Sequence, residues 1–81
     1  MDVSVVVAAD GTLSQRLGRR VRELRLGRGM TQVDLAELMG VHDSMVSKLE
    51  KREATFTVAQ LERVAEVLGV DLVVEFRERA A

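Results

Sequence analysis

The sequence contains no cysteine, which excludes a disulfide framework and any metal site built on thiolate ligands. Its single histidine, His42, cannot hold a metal ion without help from carboxylates, so we expect no metal and no cofactor. No apolar run approaches the roughly 20 residues that a membrane span needs, and no basic leader precedes an apolar stretch. These absences predict a soluble, cytoplasmic protein without a membrane partner or a small-molecule substrate.

The charge is low overall but unevenly distributed. A net charge of −1 argues at first against a nucleic-acid partner. Between residues 12 and 28, however, there are six arginines and one acid, Glu23, whereas the other six basic residues share the chain with twelve acids. The six are Arg16, Arg19, Arg20, Arg22, Arg25 and Arg28. They form either a solvated helix face or, beside a DNA-binding motif, a set of phosphate contacts.

Two short helical patterns, residues 32–39 and 43–51, lie on either side of a Gly-Val turn. Gly40 stands where a helix needs a left-handed terminator. The apolar positions are spaced so that two crossed helices share one seam, and Ala36 has the small size that a close crossing requires. These positions are Leu35, Ala36, Val41, Val46 and Leu49. The pattern predicts a helix-turn-helix.

Capping signals predict one helix before this motif and one after it. Thr12 with Gln15, and later Thr57 with Gln60, have the Thr-x-x-Gln spacing of a capping box. They predict a first helix over about 13–27 and a fourth over 58–68. Residues 12–69 are therefore expected to form a core of four helices within one domain that spans residues 1–81.

Strands are predicted at both ends of the chain. Residues 1–9 are rich in valine and have no helical stripe, which predicts a short N-terminal strand arm. In residues 70–77 apolar and polar positions alternate, which predicts a strand with one apolar face. Because 81 residues bury only about 60–65% of their unfolded surface, we expect these strands to help form a homodimer. The residues expected at that interface are Val5, Val7, Leu72, Val74 and Phe76.

The motif resembles the core of the phage-repressor-like helix-turn-helix proteins, of the Cro/C1 or xenobiotic-response-element type. The resemblance extends from about residue 17 to residue 68. It is carried by Arg25, Thr31-Gln32, Leu35-Ala36, Gly40-Val41, Val46-Ser47, Glu50 and a closing amphipathic helix that ends in Leu-Gly-Val. It implies a mainly α, repressor-like domain of four helices that binds double-stranded DNA in a sequence-specific way.

In such a domain the third helix enters the major groove and the flanking helices hold the DNA backbone. The candidate base-reading residues are Asp43, Ser44, Ser47 and Lys48. Lys48 suits guanine, while Asp43 either accepts from cytosine or serves its helix N-terminus as a first-turn acid. The candidate backbone contacts are Arg28, Thr31, Gln32, His42, Lys51 and Arg52. The resemblance also implies an ion pair between Arg25 and Glu50, the alternative being two exposed charges that do not meet.

Two residues depart from the family pattern at the ends of the third helix. His42 stands where Ser or Thr commonly caps the helix, and it is expected to cap less well or to touch a phosphate. Arg52 stands where glycine is common. Without that glycine, the third helix is expected to run on or to end irregularly near residues 52–53.

The C-terminal strand resembles the tail of the antitoxin branch of the family, the HipB-like and some HigA-like proteins, where such a segment joins two subunits. Its partner is left open between residues 3–7 of the same chain, the N-terminal strand of a second subunit, and its own copy across a two-fold axis. The main functional expectation is a homodimeric repressor or autorepressor on a near-palindromic operator. The alternative is an antitoxin that binds a toxin protein and uses DNA binding for autoregulation.

No enzyme activity is expected. Ser44 and Ser47 lie near His42 in the sequence, but on a recognition helix their hydroxyls suit capping and DNA contact better than nucleophilic attack. The glycines at 27 and 29 join two helices and do not follow a strand, so they form no phosphate-binding loop.

Overall fold

The computed structural model describes residues 2–5 and 12–80 and confirms a mainly helical domain with four helices. The elements are β1 (Asp2–Val5), α1 (Leu13–Gly27), α2 (Gln32–Met39), α3 (Asp43–Glu50), α4 (Val58–Leu68) and β2 (Asp71–Val74). Val7 and the rest of the expected strand arm beyond Val5 lie outside the described residues. None of the helices in the described ranges is long and apolar enough to cross a membrane.

The helices begin where their capping residues place them. At α1, the Thr12 hydroxyl accepts from the Gln15 N–H at 3.2 Å, and the Gln15 side chain accepts from the Thr12 N–H at 3.0 Å. Thr57 and Gln60 make the same pair of hydrogen bonds at the start of α4, at 3.0 and 2.9 Å. Each box satisfies two backbone groups that the first turn of a helix leaves without partners.

The core lies where all four helices meet. Its three fully buried large side chains, Leu35, Val46 and Leu49, come from the two helices of the turn motif. Around them pack the apolar faces of α1 and α4, together with Phe56 from the connecting loop and Val70 after α4. The expected seam between α2 and α3 is therefore the centre of the domain. Packing of the buried face of α3 in this core holds the helix in position.

Gly18 allows α1 and α3 to approach closely. A Cβ atom added there would lie 2.7 Å from the Leu49 carbonyl oxygen and 3.3 Å from the Glu50 carbonyl oxygen. Both are backbone atoms of α3, so neither can move aside as a flexible side chain would. The absence of a side chain at Gly18 therefore sets the distance between the two helices.

The two strands pair with each other in parallel within the chain. Asp2 is opposite Asp71 and Val5 is opposite Val74. Of the three partners that the sequence leaves open, the structure contains the one from the same chain. The predicted strand over 70–77 was too long, because β2 ends at Val74, which is opposite Val5, the last described residue of β1.

Candidate nucleic-acid interface

A buried ion pair joins α1 to the end of α3. Arg25 Nε donates to Glu50 Oε2 at 2.7 Å and Arg25 Nη2 donates to Glu50 Oε1 at 2.9 Å. A third donor, Nη1, binds the carbonyl oxygen of Met30 at 2.8 Å. Arg25 and Glu50 are only 6% and 9% exposed. The parallel pair of hydrogen bonds is directional, so it fixes the orientation of α3 relative to α1.

The electrostatics of the pair follow from this geometry. The hydrogen bonds that the Glu50 carboxylate accepts raise the pKa of Arg25 above its ordinary value, while burial acts in the opposite direction. The ion pair therefore favours the charged form of the guanidinium. A carboxylate at Glu50 is its counter-charge.

The start of α2 is tied to the same ion pair. Thr31 caps the helix, with its hydroxyl accepting from the Asp34 N–H at 3.0 Å, and Asp34 completes a capping box by accepting from the Thr31 N–H at 2.9 Å. These hydrogen bonds lower the pKa of Asp34 below its ordinary value. Gln32 is half-buried and donates through Nε2 to Glu50 Oε1 at 3.3 Å. The N-terminus of α2 and the C-terminus of α3 are thus held side by side.

The outer face of α3 carries the four candidate base-reading residues. Asp43, Ser44 and Lys48 are exposed and Ser47 is half-buried. Ser44, Ser47 and Lys48 are three and four residues apart, a spacing that places them on one face of a helix. The structure therefore brings the polar candidates together on the side of α3 that is opposite Val46 and Leu49.

His42 caps α3 in place of the usual hydroxyl. Its Nδ1 accepts from the Ser44 N–H at 3.2 Å and lies 2.9 Å from Ser44 Oγ, which can donate to the same lone pair. Asp43 Oδ1 is also 2.9 Å from Nδ1. A neutral ring with its proton on Nε2 satisfies the capping bonds, whereas a protonated ring would donate to the Asp43 carboxylate instead. The side chain of His42 is 80% exposed, so it caps the helix and remains open to solvent.

The end of α3 corrects the expectation drawn from the missing glycine. The helix neither runs on nor ends irregularly: it ends at Glu50, and Arg52 has a φ of +68°, the left-handed conformation that glycine would adopt. The Glu53 N–H then returns to the Lys48 carbonyl oxygen at 2.8 Å. The carbonyls of the last turn therefore find partners, and an arginine bears the steric cost, on the order of 1–2 kcal/mol.

A polar cavity of about 460 Å³ lies beside the ion pair. It is lined by Arg22, Gln32, Glu50, Lys51 and Arg52. Three of these side chains are cations, and the one carboxylate already faces Arg25. The cavity also adjoins the first residue of α2, where helix N–H groups favour anions. It has the size and the charge to hold a phosphate group.

Arg22 was named as one of six arginines that could contact phosphates and not as an individual backbone contact, although the sequence contains a more specific signal for it. Arg22 precedes Arg25 by three residues, and this spacing places both on the same side of α1, facing the end of α3. The expected ion pair of Arg25 could therefore have indicated Arg22 as its neighbour.

Arg28 does not line this cavity. Its Nε donates to the Leu68 carbonyl oxygen at 2.9 Å and its Nη1 donates to the Leu24 carbonyl oxygen at 3.1 Å. These two acceptors belong to the last turns of α4 and α1, where carbonyls carry partial negative charge and attract cations. Arg28 thus joins two helix ends in the structure.

Known proteins share both the sequence pattern and the fold. Residues 21–74 match the family model described as helix-turn-helix, HTH_3. The HTH-type transcriptional regulator RamB of Mycobacterium tuberculosis is 42% identical over 55 residues, which are 68% of this chain and 12% of the regulator. The chain thus spans about an eighth of the length of that relative.

Solved structures have the same fold. The restriction-modification controller protein C.AhdI from Aeromonas hydrophila is 29% identical with a TM-score of 0.69, over 72% of this chain and 88% of the controller. The biofilm regulator SinR, solved in complex with DNA, is 34% identical with a TM-score of 0.63, over 68% of this chain and 89% of the chain in that structure. The family match covers both helices of the turn motif, the ion pair and the cavity residues, and the chain belongs to the helix-turn-helix family HTH_3.

Proposed function

We propose that this chain is a sequence-specific, DNA-binding transcriptional regulator that acts as a homodimer on a near-palindromic operator. The observation that carries the proposal is the position of the cationic cavity next to the exposed face of α3. One surface thereby offers a base-reading helix and a phosphate site, held at a fixed angle by the ion pair between Arg25 and Glu50.

The exposed face of α3 is the proposed base-reading element. Lys48 is exposed in the last turn of α3 and can donate to guanine O6 and N7. Ser44 and Ser47 can donate or accept, and so add contacts with little discrimination. Asp43 contacts His42 and stands in the first turn, which supports its role as a first-turn acid over the reading of cytosine.

The cavity is the proposed backbone site. Lys51 and Arg52 follow α3 directly, and Arg22 reaches the cavity from α1. A phosphate there would meet three cations and the N-terminal N–H groups of α2 beside Gln32. Thr31 and His42 keep their capping roles and are secondary candidates for backbone contact, while Arg28 is left out of the proposal because its donors bind helix-end carbonyls.

The geometry of DNA recognition supports the proposed homodimer. A single eight-residue helix reads only a few base pairs, and two of them spaced by about 34 Å would read two half-sites one helical turn apart. RamB and SinR are named as regulators, which supports a regulatory function for this chain. The structure of SinR in complex with DNA supports DNA as the ligand.

The test is binding to the DNA upstream of the chain's own gene, measured by fluorescence anisotropy against a random duplex of equal length at two salt concentrations. We expect the specific duplex to bind about a thousandfold more tightly, and nuclease protection of the same duplex to show a footprint the size of a dimer. Equal, weak binding to both duplexes would refute the proposal.

Two substitutions separate base reading from backbone contact. Lys48→Ala should weaken specific binding by roughly 1–3 kcal/mol and relax the preference at one base pair. Lys51→Ala should weaken the binding to both duplexes equally and reduce the salt dependence of that binding. Arg79→Ala removes a positive charge from the exposed C-terminal segment and serves as the matched control. Equal losses on both duplexes for Lys48→Ala would reassign Lys48 to a phosphate.

A second candidate role is that of an antitoxin. The observation that favours it is the free edge of β2: in the described ranges the sheet has two strands, so a partner protein could add a third. Co-expression with the protein encoded by the neighbouring reading frame, followed by co-purification, would test this role. Separate elution of the two proteins would refute it.

A further inference from the structure

An apolar groove lies on the side of the domain formed by α1, α4 and β2. It has a volume of about 370 Å³ and is lined mainly by aliphatic side chains, among them Leu13, Val58, Leu61, Leu72 and Val74. Among the residues that the structure describes, its polar lining side chains are the hydroxyls of Ser14 and Thr55, and none of the lining residues belongs to α2 or α3. The groove therefore has no chemistry for a phosphate or a base, and whatever fills it leaves the DNA-binding face free.

Phe76 lies just beyond this groove and is 99% exposed. It continues the alternation of Leu72 and Val74, the two β2 residues that line the groove. Two residues of extended chain carry it at most about 7 Å past Val74, which is itself 63% exposed. An aromatic side chain in water next to an apolar groove indicates a surface that becomes buried on association.

We propose that the occupant of the groove is Phe76 of a second copy of this chain, so that two copies exchange their Phe76 side chains across a two-fold axis. The inference rests on the homodimer of the proposed function and specifies its interface. A two-fold interface requires a patch that is complementary to itself, and here the exposed ring of Phe76 follows the groove-lining Val74 by two residues.

The dimensions agree with this occupant. An apolar cavity of about 150 Å³ is enough to hold a benzene ring, so a groove of about 370 Å³ holds one phenyl ring and part of the neighbouring chain. The rim residues Leu13 and Val58 are 40% and 70% exposed and would be covered in the dimer. The ring of the same chain does not fill the groove, because Phe76 is directed into solvent.

The first experiment is sedimentation equilibrium on the full chain. Phe76→Ser removes the ring, and Val58→Lys places a charge on the rim at an exposed site, so neither variant disturbs the core. Each should weaken the dimer by about a hundredfold or more, because two symmetric contacts are lost per dimer. Leu26→Ser is the matched control, since Leu26 is 51% exposed and does not line the groove. An unchanged dimer for Phe76→Ser and Val58→Lys would overturn the inference.

The second experiment identifies whose Phe76 fills the groove. The chain has no cysteine, so Val58→Cys and Arg77→Cys, the second of which keeps the Phe76 ring, can be introduced on separate chains, mixed, and joined with a short flexible bismaleimide. We expect a cross-linked heterodimer from the mixture. In a single chain carrying both substitutions we expect the cross-link to join two chains. A cross-link confined to one chain would show that the ring folds back into its own groove, which would overturn the inference.

Operator binding distinguishes this inference from the function on which it rests. If the unsubstituted chain binds its operator as a dimer that Phe76→Ser leaves intact, the interface is wrong and the function stands. If the unsubstituted chain shows no preference for its operator, the proposed function itself fails.

Discussion

Replacing Glu50 by alanine should be the most destabilising polar substitution in the domain. Arg25 is only 6% exposed in the structure, and the substitution would leave its guanidinium without a counter-charge. It would also remove both hydrogen bonds of the pair and the one from Gln32. Breaking a buried pair on one side costs roughly 3–5 kcal/mol. The Met30 carbonyl remains as an acceptor for Arg25, which places our expectation near the lower end, at about 3 kcal/mol.

The size of this effect is measurable in a domain of 81 residues. Its expected total stability is on the order of 4–12 kcal/mol, and 3 kcal/mol would lower the melting temperature by roughly 12–24 °C. Urea unfolding followed by circular dichroism gives the change in the free energy of unfolding directly. The matched control is Glu66→Ala, which breaks the exposed pair with Arg63 and should cost less than about 1 kcal/mol.

A double substitution tests the physical cause. Arg25→Met with Glu50→Met removes both charges and fills the space with apolar side chains, so most of the stability lost in Glu50→Ala should return. The DNA affinity of the double variant should stay reduced, because α3 has lost the directional contact that orients it. The reasoning is refuted if Glu50→Ala costs no more than Glu66→Ala, or if the double variant is less stable than the single one.

Three further substitutions test other features of the fold. Gly18→Ala should destabilise the domain by up to about 2 kcal/mol in urea unfolding. Overpacking against the α3 backbone costs about 1–3 kcal/mol, which exceeds the gain in helix propensity from alanine. An increase in stability would contradict this expectation. Arg52→Gly should stabilise it by up to about 1 kcal/mol by relieving the left-handed arginine, while weakening DNA binding; a loss of stability would count against the strain. Asp34→Asn should lower stability at neutral pH. Because the folded-state pKa of Asp34 is depressed, that difference should shrink as the pH falls below about 3.8, and a difference constant down to pH 2 would contradict the cause.

Most of the helical core could be predicted from the sequence because its signals are local. Capping spacings at Thr12 and Thr57 and glycines at 40 and 69 determine helix ends through atoms only a few residues apart. The apolar periodicity then identifies the faces that pack together. These features depend on neighbours in the sequence, and a single sequence contains them.

The features that the sequence did not determine depend on residues far apart in the chain or on a steric cost that the fold tolerates. Alternation in 70–77 gives β2 an apolar face but no partner, and only the folded chain places Asp2–Val5 beside it. The prediction for the end of α3 was wrong because a left-handed residue is usually glycine and position 52 is an arginine. In the structure, hydrogen bonds from the Glu53 and Ala54 N–H groups to the Lys48 carbonyl oxygen hold Arg52 in that conformation. Arg22 lines the cavity because of the angle at which α1 packs against α3, and the spacing of residues within α1 does not give that angle.

The parallel pairing of β1 with β2 has a consequence for the order of folding. Asp2 and Asp71 are opposite each other, so the sheet closes a loop of about 69 residues, which costs roughly 4 kcal/mol in chain entropy if nothing else is yet formed. The helices, by contrast, are built on contacts between residues three and four apart and need no such closure. We therefore expect the four helices to assemble first and the sheet to form last, with β2 the first element to exchange its amide hydrogens. Since β2 lines the groove proposed to bind a second copy, the surface for DNA would be complete before the surface for dimerisation.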